Sequence, residues 1–110
     1  MAEIKIPFNE WSKNRLIDWR KVATSRYKKY GKINDYFFVD LPDGDRIRYQ
    51  LTGVTQLSLK YISENLYGDE GADSPQEFIE IWRLIHPAKG FREDDKVWYH
   101  EFRRYPARVE

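Results

Sequence analysis

Two apolar stretches joined by a tight turn constrain this chain first. Tyr36 to Leu41 reads as a strand, Pro42-Asp43-Gly44-Asp45 as a turn, and Arg46 to Thr52 as a second strand. Proline presets φ at its position and glycine takes a positive φ at little cost, so these residues reverse the chain. In the second strand Ile47, Tyr49 and Leu51 alternate with Arg46, Arg48 and Gln50. That alternation marks a half-buried strand, and the pair makes a hairpin.

Helix signals surround the hairpin. Asn9 is placed to cap a helix over about Glu10 to Arg20, with Phe8, Trp11, Leu16 and Trp19 available for packing. Ser58 caps a shorter one carrying Leu59, Ile62 and Leu66, with Gly68 as its stop. The strongest begins at Ser74-Pro75-Gln76-Glu77. Serine caps it, proline takes the first helical position, and Glu77 completes a capping box. Phe78, Ile81, Trp82 and Ile85 follow as one apolar stripe that ends at His86-Pro87. Lys21 to Tyr27 is β-compatible through Val22, Thr24 and Tyr27. Lys96 to Arg104 alternates Val97 and Tyr99 with Trp98, His100 and Phe102, which predicts a strand near the sheet centre. The elements predict one α+β domain over residues 1–110, with short strands enclosing or flanking three helices in a small barrel-like arrangement.

Composition narrows the function classes. A chain of 110 residues and 13.3 kDa fits one domain. Such a domain buries about 65% of its unfolded surface. With 41% hydrophobic and 16% aromatic residues it supports a packed core. The absence of cysteine excludes disulfides, thiolate metal sites and cysteine nucleophiles. Only His86 and His100 are available as imidazole ligands, so no metal and no cofactor is expected. Met1 to Pro7 holds no secretory core, and no apolar run reaches membrane-spanning length. These features predict a cytosolic protein without a membrane partner. The 34% charged content with no Cys and one Met also fits a heat-adapted organism.

Charge is unevenly placed. Lys13, Arg15, Arg20, Lys21, Arg26, Lys28, Lys29 and Lys32 lie in a stretch whose one acid is Asp18, and Trp19, Tyr27 and Tyr30 are threaded among them. The whole chain has a net charge of only +1. A local positive field with interleaved aromatic faces suits RNA or single-stranded nucleic acid.

Lys21-Val22-Ala23-Thr24-Ser25-Arg26 resembles the Gly-x-Lys-x-x-(Glu or Thr)-x-Arg signature of the ASCH domain, a compact β-barrel related to PUA domains. Ser74 to Pro87 and Val97 to Phe102 resemble the helix and closing strand of archaeal ASCH-like proteins. Tyr27 to Phe37 resembles the segment that leads from the signature into the barrel. The resemblance implies a small PUA-like β-barrel of about five to six strands with flanking helices, and either of two functions. One is RNA or nucleotide binding in a cleft beside the barrel. The other is that of small bacterial members that hydrolyse N4-acetylcytidine with a lysine, a threonine and a glutamate. Carried over by position, these are Lys21, Thr24 and, by its place near the family glutamate, Glu70. The signature glycine falls at Trp19, whose bulk implies a different local turn or a differently lined cleft mouth.

As an enzyme the chain would use Thr24 as nucleophile or to position water, Lys21 to activate it or protonate the leaving amine, and Glu70 to orient the lysine or the departing nitrogen. On a regular strand Lys21 and Thr24 project to opposite faces, so they converge only if Lys21 precedes the strand. As a binding module it would use Lys21, Arg26, Tyr27, Lys28, Lys29 and Lys32. Arg26 suits a phosphate or a base, or else a salt bridge to the acidic group of Asp69, Glu70 and Asp73. Phe78, Trp82, Trp98 and Phe102 read as core, and His86 and His100 as structural hydrogen-bonding residues.

Overall fold

The computed structural model describes residues 1–104. Three helices, α1 (Glu10–Ile17), α2 (Leu59–Asn65) and α3 (Pro75–Ile85), pack on four strands, β1 (Ala23–Arg26), β2 (Tyr36–Asp40), β3 (Arg46–Ser58) and β4 (Lys96–Arg104). The sheet is antiparallel throughout, in the order β1-β4-β3-β2, so β4 is internal as its pattern predicts. The hairpin forms with Val39 opposite Ile47 and Phe37 opposite Tyr49.

Each helix is capped by the expected side chain. Asn9 accepts from the Ser12 N–H, Ser58 from that of Tyr61 and Ser74 from that of Glu77. The capping box is displaced by one residue: the Glu77 carboxylate accepts from the Asp73 N–H at 2.7 Å rather than reaching Ser74. Helix α1 ends three residues before the expected Arg20, because Trp19 turns left-handed at φ 66° and the N–H groups of Arg20 and Lys21 both fold back onto the Arg15 carbonyl.

Among the described residues the sheet has four strands, not five to six. The long β3 supplies the difference. Its pairing with β4 shifts between Leu51 and Gly53, leaving Thr52 as an extra residue. A bulge of this kind bends the strand and swaps which side chains face each side of the sheet. Before it, Tyr49 and Leu51 point with Phe102 into a core shared with Ile6, Leu16, Phe37 and Val39. After it, Leu57 lies opposite Val97 and packs on a second core of Ala23, Leu59, Ile62, Ala72, Phe78, Trp82, Val97 and Tyr99. One strand thus feeds two cores, and the sheet curls as a half-barrel between them.

The first core is aromatic. Phe37 and Tyr49 stack at 5.4 Å between ring centres, and Phe102 meets both edge-on at 5.3 Å. The second core fastens α2 and α3 to the sheet, which fixes the apolar stripe of α3 over the start of β1.

Candidate binding cleft

The start of β1 is held by the loop between α2 and α3. The Asp69 carbonyl accepts from the N–H groups of both Val22 (2.8 Å) and Ala23 (3.0 Å). This clamp shortens the expected Lys21 to Tyr27 strand and brings the next residue, Glu70, against Lys21. Gly71 follows with φ 97°, and a Cβ there would meet Arg15 Cβ at 3.1 Å and Lys21 Cβ at 3.2 Å. Only glycine fits both the backbone and the space.

Lys21 and Glu70 are each 4% exposed. The Lys21 ammonium donates to the Glu70 carbonyl at 2.9 Å and to its Oε1 at 3.2 Å. Ser25 Oγ donates to the other carboxylate oxygen, Oε2, at 2.5 Å. Burial pulls the Lys21 pKa below its ordinary value; Glu70 opposes that shift and Arg26 adds to it. An ammonium has three donors, so one N–H of Lys21 remains beyond the two bonds to Glu70, and the Ser25 hydroxyl keeps its lone pairs.

These groups form the floor of a cavity of about 380 Å³. Its walls are Phe8, Trp11, Tyr30, Phe78, Trp82 and His86, with Ile81 and Ile85 towards the α3 end. His86 caps α3 and lies 4.3 Å from the Trp82 ring, while Tyr27 meets both edge-on. Burial lowers the His86 pKa, and Arg26 and Lys89 lower it further, so the imidazole in this wall is neutral near pH 7.

Arg26 closes one side. Its guanidinium donates to the Pro7 carbonyl at 2.7 Å, to the Ser25 carbonyl at 3.0 Å and to the Thr24 hydroxyl. Burial depresses its pKa, from a starting value high enough that it stays charged. Of the acidic group named as its possible partner, Asp73 pairs with Arg20 and Glu70 with Lys21.

Thr24 stands apart from the lysine. Its cross-strand neighbour is His100, whereas Ser25 lies opposite Tyr99, so the two hydroxyls leave opposite faces of β1. Thr24 is fully buried and is not among the cavity-lining residues. His100 fixes the region behind it. Its Nε2 accepts from the Tyr30 N–H at 3.0 Å, which leaves Nδ1 to donate to the Thr24 carbonyl at 3.1 Å.

The remaining basic-segment residues scatter. Tyr27 bonds Asp95 through its hydroxyl at 2.7 Å, and Lys89 covers its ring at 4.0 Å. Lys28 lies 5.0 Å from the Tyr30 ring and Lys29 5.0 Å from that of Trp98. Lys32 is exposed, and its backbone N–H bonds Asp35.

Sequence reasoning missed Ser25, Trp11, Trp82 and His86 as cleft residues. An apolar stripe at helical spacing has one signature whether it fills a core or lines a cavity, and Trp82 does both. The available signal was His86, one turn after Trp82 on the same helix face.

No family model matches the chain, and no curated protein does. Solved structures do. An ASCH domain from Lactobacillus crispatus superposes with a TM-score of 0.65 at 16% identity, covering 94% of this chain and 78% of that one. The fold is that of an ASCH domain. A protein of Enterococcus faecalis described by the family name DUF984 matches with a TM-score of 0.64 at 18% identity, over 94% of this chain and 74% of that one. Trp19, where the resemblance expected a glycine, adopts the left-handed backbone that glycine favours. Its ring is directed outward, 59% exposed. Among the described residues no group of three or more metal-ligating side chains comes together, and no helix is long and apolar enough to cross a membrane.

Proposed function

We propose that the protein binds RNA or a nucleotide by taking one base into this cleft. The supporting observation is a cavity of about 380 Å³ with aromatic walls over a polar floor. A planar base gains stacking from Trp11, Trp82 and His86. Its polar edge meets one donor from Lys21 and acceptor lone pairs on Ser25 and Glu70. Exposed Lys28, Lys29 and Lys32 supply positive potential around the site for the phosphates of a longer ligand.

Two cleft tryptophans make the test direct. Titration of intrinsic fluorescence with nucleosides, nucleotides and short RNAs should give saturable quenching, abolished by Lys21→Met and reduced by Trp82→Phe. Absence of quenching by every one of these ligands at low salt overturns the reading.

A second reading is favoured by one observation, the buried Lys21–Glu70–Ser25 cluster. It is hydrolysis of an N-acylated nucleoside such as N4-acetylcytidine. Water adds its oxygen to the acyl carbon, the C–N bond breaks, and the amine leaves with a proton. In this reading Glu70 takes a proton from the attacking oxygen, and Lys21 donates to the carbonyl oxygen or the leaving nitrogen. Thr24, which lies outside the cavity, acts by anchoring Arg26 through its hydroxyl. Ser25→Ala and Thr24→Val separate the two hydroxyls: loss of acetate release in one alone identifies the one that matters. Retention of full release in Lys21→Met ends the reading.

A further inference from the structure

Among the described residues, two besides glycine hold a left-handed backbone, Asn34 and Trp19. Asparagine tolerates that conformation, whereas a bulky aromatic residue in it is an outlier. Strained residues persist where the surroundings require them, and they gather at ligand sites. Core packing does not account for Trp19. Its ring is exposed and belongs to neither core.

The ring stands at the open side of a second cavity, of about 100 Å³. Buried Leu16, Tyr49 and Phe102 line its depth, and exposed Val22 lines its mouth beside Trp19. At roughly 10–15 Å³ for each water-sized group, a space of 100 Å³ admits about seven such groups. A phenyl ring fills it and leaves a polar substituent at the remaining wall, Arg104.

Arg104 carries a charge that nothing nearby cancels. Its Nη2 donates to the Leu16 carbonyl at 2.7 Å and to the Ile17 carbonyl at 3.0 Å, at the end of α1. A helix C-terminus offers only about half a unit of negative charge. The Trp19 ring, 3.5 Å from the guanidinium, is neutral, and Arg104 makes no ion pair among the described residues. Its Nε is buried without a hydrogen-bond partner. A buried donor of this kind is one that the chain itself does not satisfy.

The titratable groups around it add no compensating charge. The Tyr49 hydroxyl donates to the Leu16 carbonyl at 3.3 Å, and burial raises its pKa against the opposing effect of Arg104, so the phenol is neutral. Asp18, next to Trp19 in the chain, is exposed and forms no ion pair with Arg104. Glu101 leaves the other face of β4 and lies over Gly53. A carboxylate matches what is left: it only accepts, it is planar, and it carries one charge.

We propose that this cavity is a second ligand site, which takes a small aromatic monocarboxylate. The ring enters between Leu16, Tyr49 and Phe102, and the carboxylate accepts from Arg104 while Trp19 holds the guanidinium plane. Lys21 alone lines both cavities, so the site stands or falls apart from the base pocket.

Benzoate, benzamide and benzamidinium share one shape and differ in charge, so together they test it. Two-dimensional NMR follows the tryptophan indole and arginine Nε–H signals during titration of the full chain. Benzoate should give saturable shifts at Trp19 and Arg104. Benzamide should bind about tenfold more weakly, because it loses the charge-assisted bonds, and benzamidinium should not bind. Glycine holds this backbone without strain, so Trp19→Gly keeps the fold and should weaken benzoate about fivefold by removing the ring. Arg104→Lys keeps the charge but not the planar fork and should weaken it about tenfold. Trp82→Phe, in the cleft, should leave benzoate affinity unchanged. Equal affinity for benzoate and benzamide overturns the proposal, as does wild-type affinity in Trp19→Gly. So does an absence of saturable shifts, or shifts confined to the cleft indoles of Trp11 and Trp82.

Discussion

The Lys21 ammonium sits 3.2 Å from the Glu70 carboxylate, with 3% and 6% of their side chains exposed. Two charges removed from water in this way hold one another, and each is costly without the other. The same pair forms the polar floor of the cleft, so it links stability to function.

We expect Lys21→Met and Glu70→Gln each to cost about 3–5 kcal/mol, because each strands a buried partner. The double variant should cost clearly less than the sum of the two. Urea unfolding of the four proteins measures this. Additive losses would show that the two side chains do not act as a pair.

The buried His100 makes acid the weak side of the stability profile. Burial lowers its pKa below 6.5; the bond to the Thr24 carbonyl opposes that shift and Arg26 reinforces it. Between the folded value and 6.5 the unfolded chain binds a proton that the native protein does not. Stability therefore rises with pH in that window, is complete above about 6.5, and is lost as pH falls through it, at up to about 1.4 kcal/mol per unit. Urea midpoints at pH 7.5 and 5.5 should differ in wild type and differ less in His100→Gln. Protonation also breaks the Tyr30 N–H bond to Nε2, so the cleft wall at Tyr30 should loosen over the same range.

Trp19 holds a left-handed backbone conformation that costs an L-residue about 1–2 kcal/mol. The Arg104 guanidinium, 3.5 Å from its ring, contributes in the other direction, as a cation–π contact at an exposed site. The expected order of stability among replacements is Trp19→Gly above Trp19→Ala above Trp19→Val, with glycine about 1 kcal/mol above alanine. Thermal unfolding of the three variants checks the order. An alanine variant as stable as the glycine one would mean that the turn relaxes to a negative φ.

Local signals were legible wherever one chemical reason settles them. The hairpin is written in Pro42 to Asp45, and the helix starts in Asn9, Ser58 and Ser74, because turn and cap preferences are local. Lys21 precedes β1, the one arrangement in which strand alternation would let it converge with Thr24, yet Thr24 does not line the cavity that Lys21 does. What sequence could not supply depends on long-range contacts. The bulge at Thr52 has no local signal in Leu51-Thr52-Gly53 beyond a glycine, yet it replaces expected extra strands by letting β3 serve both cores. Ser25 joins Glu70 only because the Asp69 carbonyl ties a distant loop to β1. The basic segment reads as a continuous field along the chain, but folding places Lys21 in the cleft, Arg20 on Asp73, and Lys28 and Lys29 over separate rings.

Gly71 lies where these constraints meet. It adopts φ 97°, and the space its Cβ would fill is bounded by Cβ atoms of Arg15 and Lys21 at 3.1 and 3.2 Å. Neither neighbour can yield by rotating a side chain, because a Cβ moves only with its backbone. Gly71→Ala therefore adds backbone strain to overlap and should lose about 2 kcal/mol or more. The overlap pushes the loop that carries Glu70 away from Arg15 and Lys21, so the cleft floor shifts as well. We expect weaker base binding in Gly71→Ala even under conditions where the variant is fully folded by circular dichroism. Gly68→Ala is the control, since nothing lies within 4 Å of its Cβ position and its φ is unstrained. If both variants unfold at the wild-type midpoint, the close approach between the Glu70 loop and Lys21 is not the feature that builds the floor.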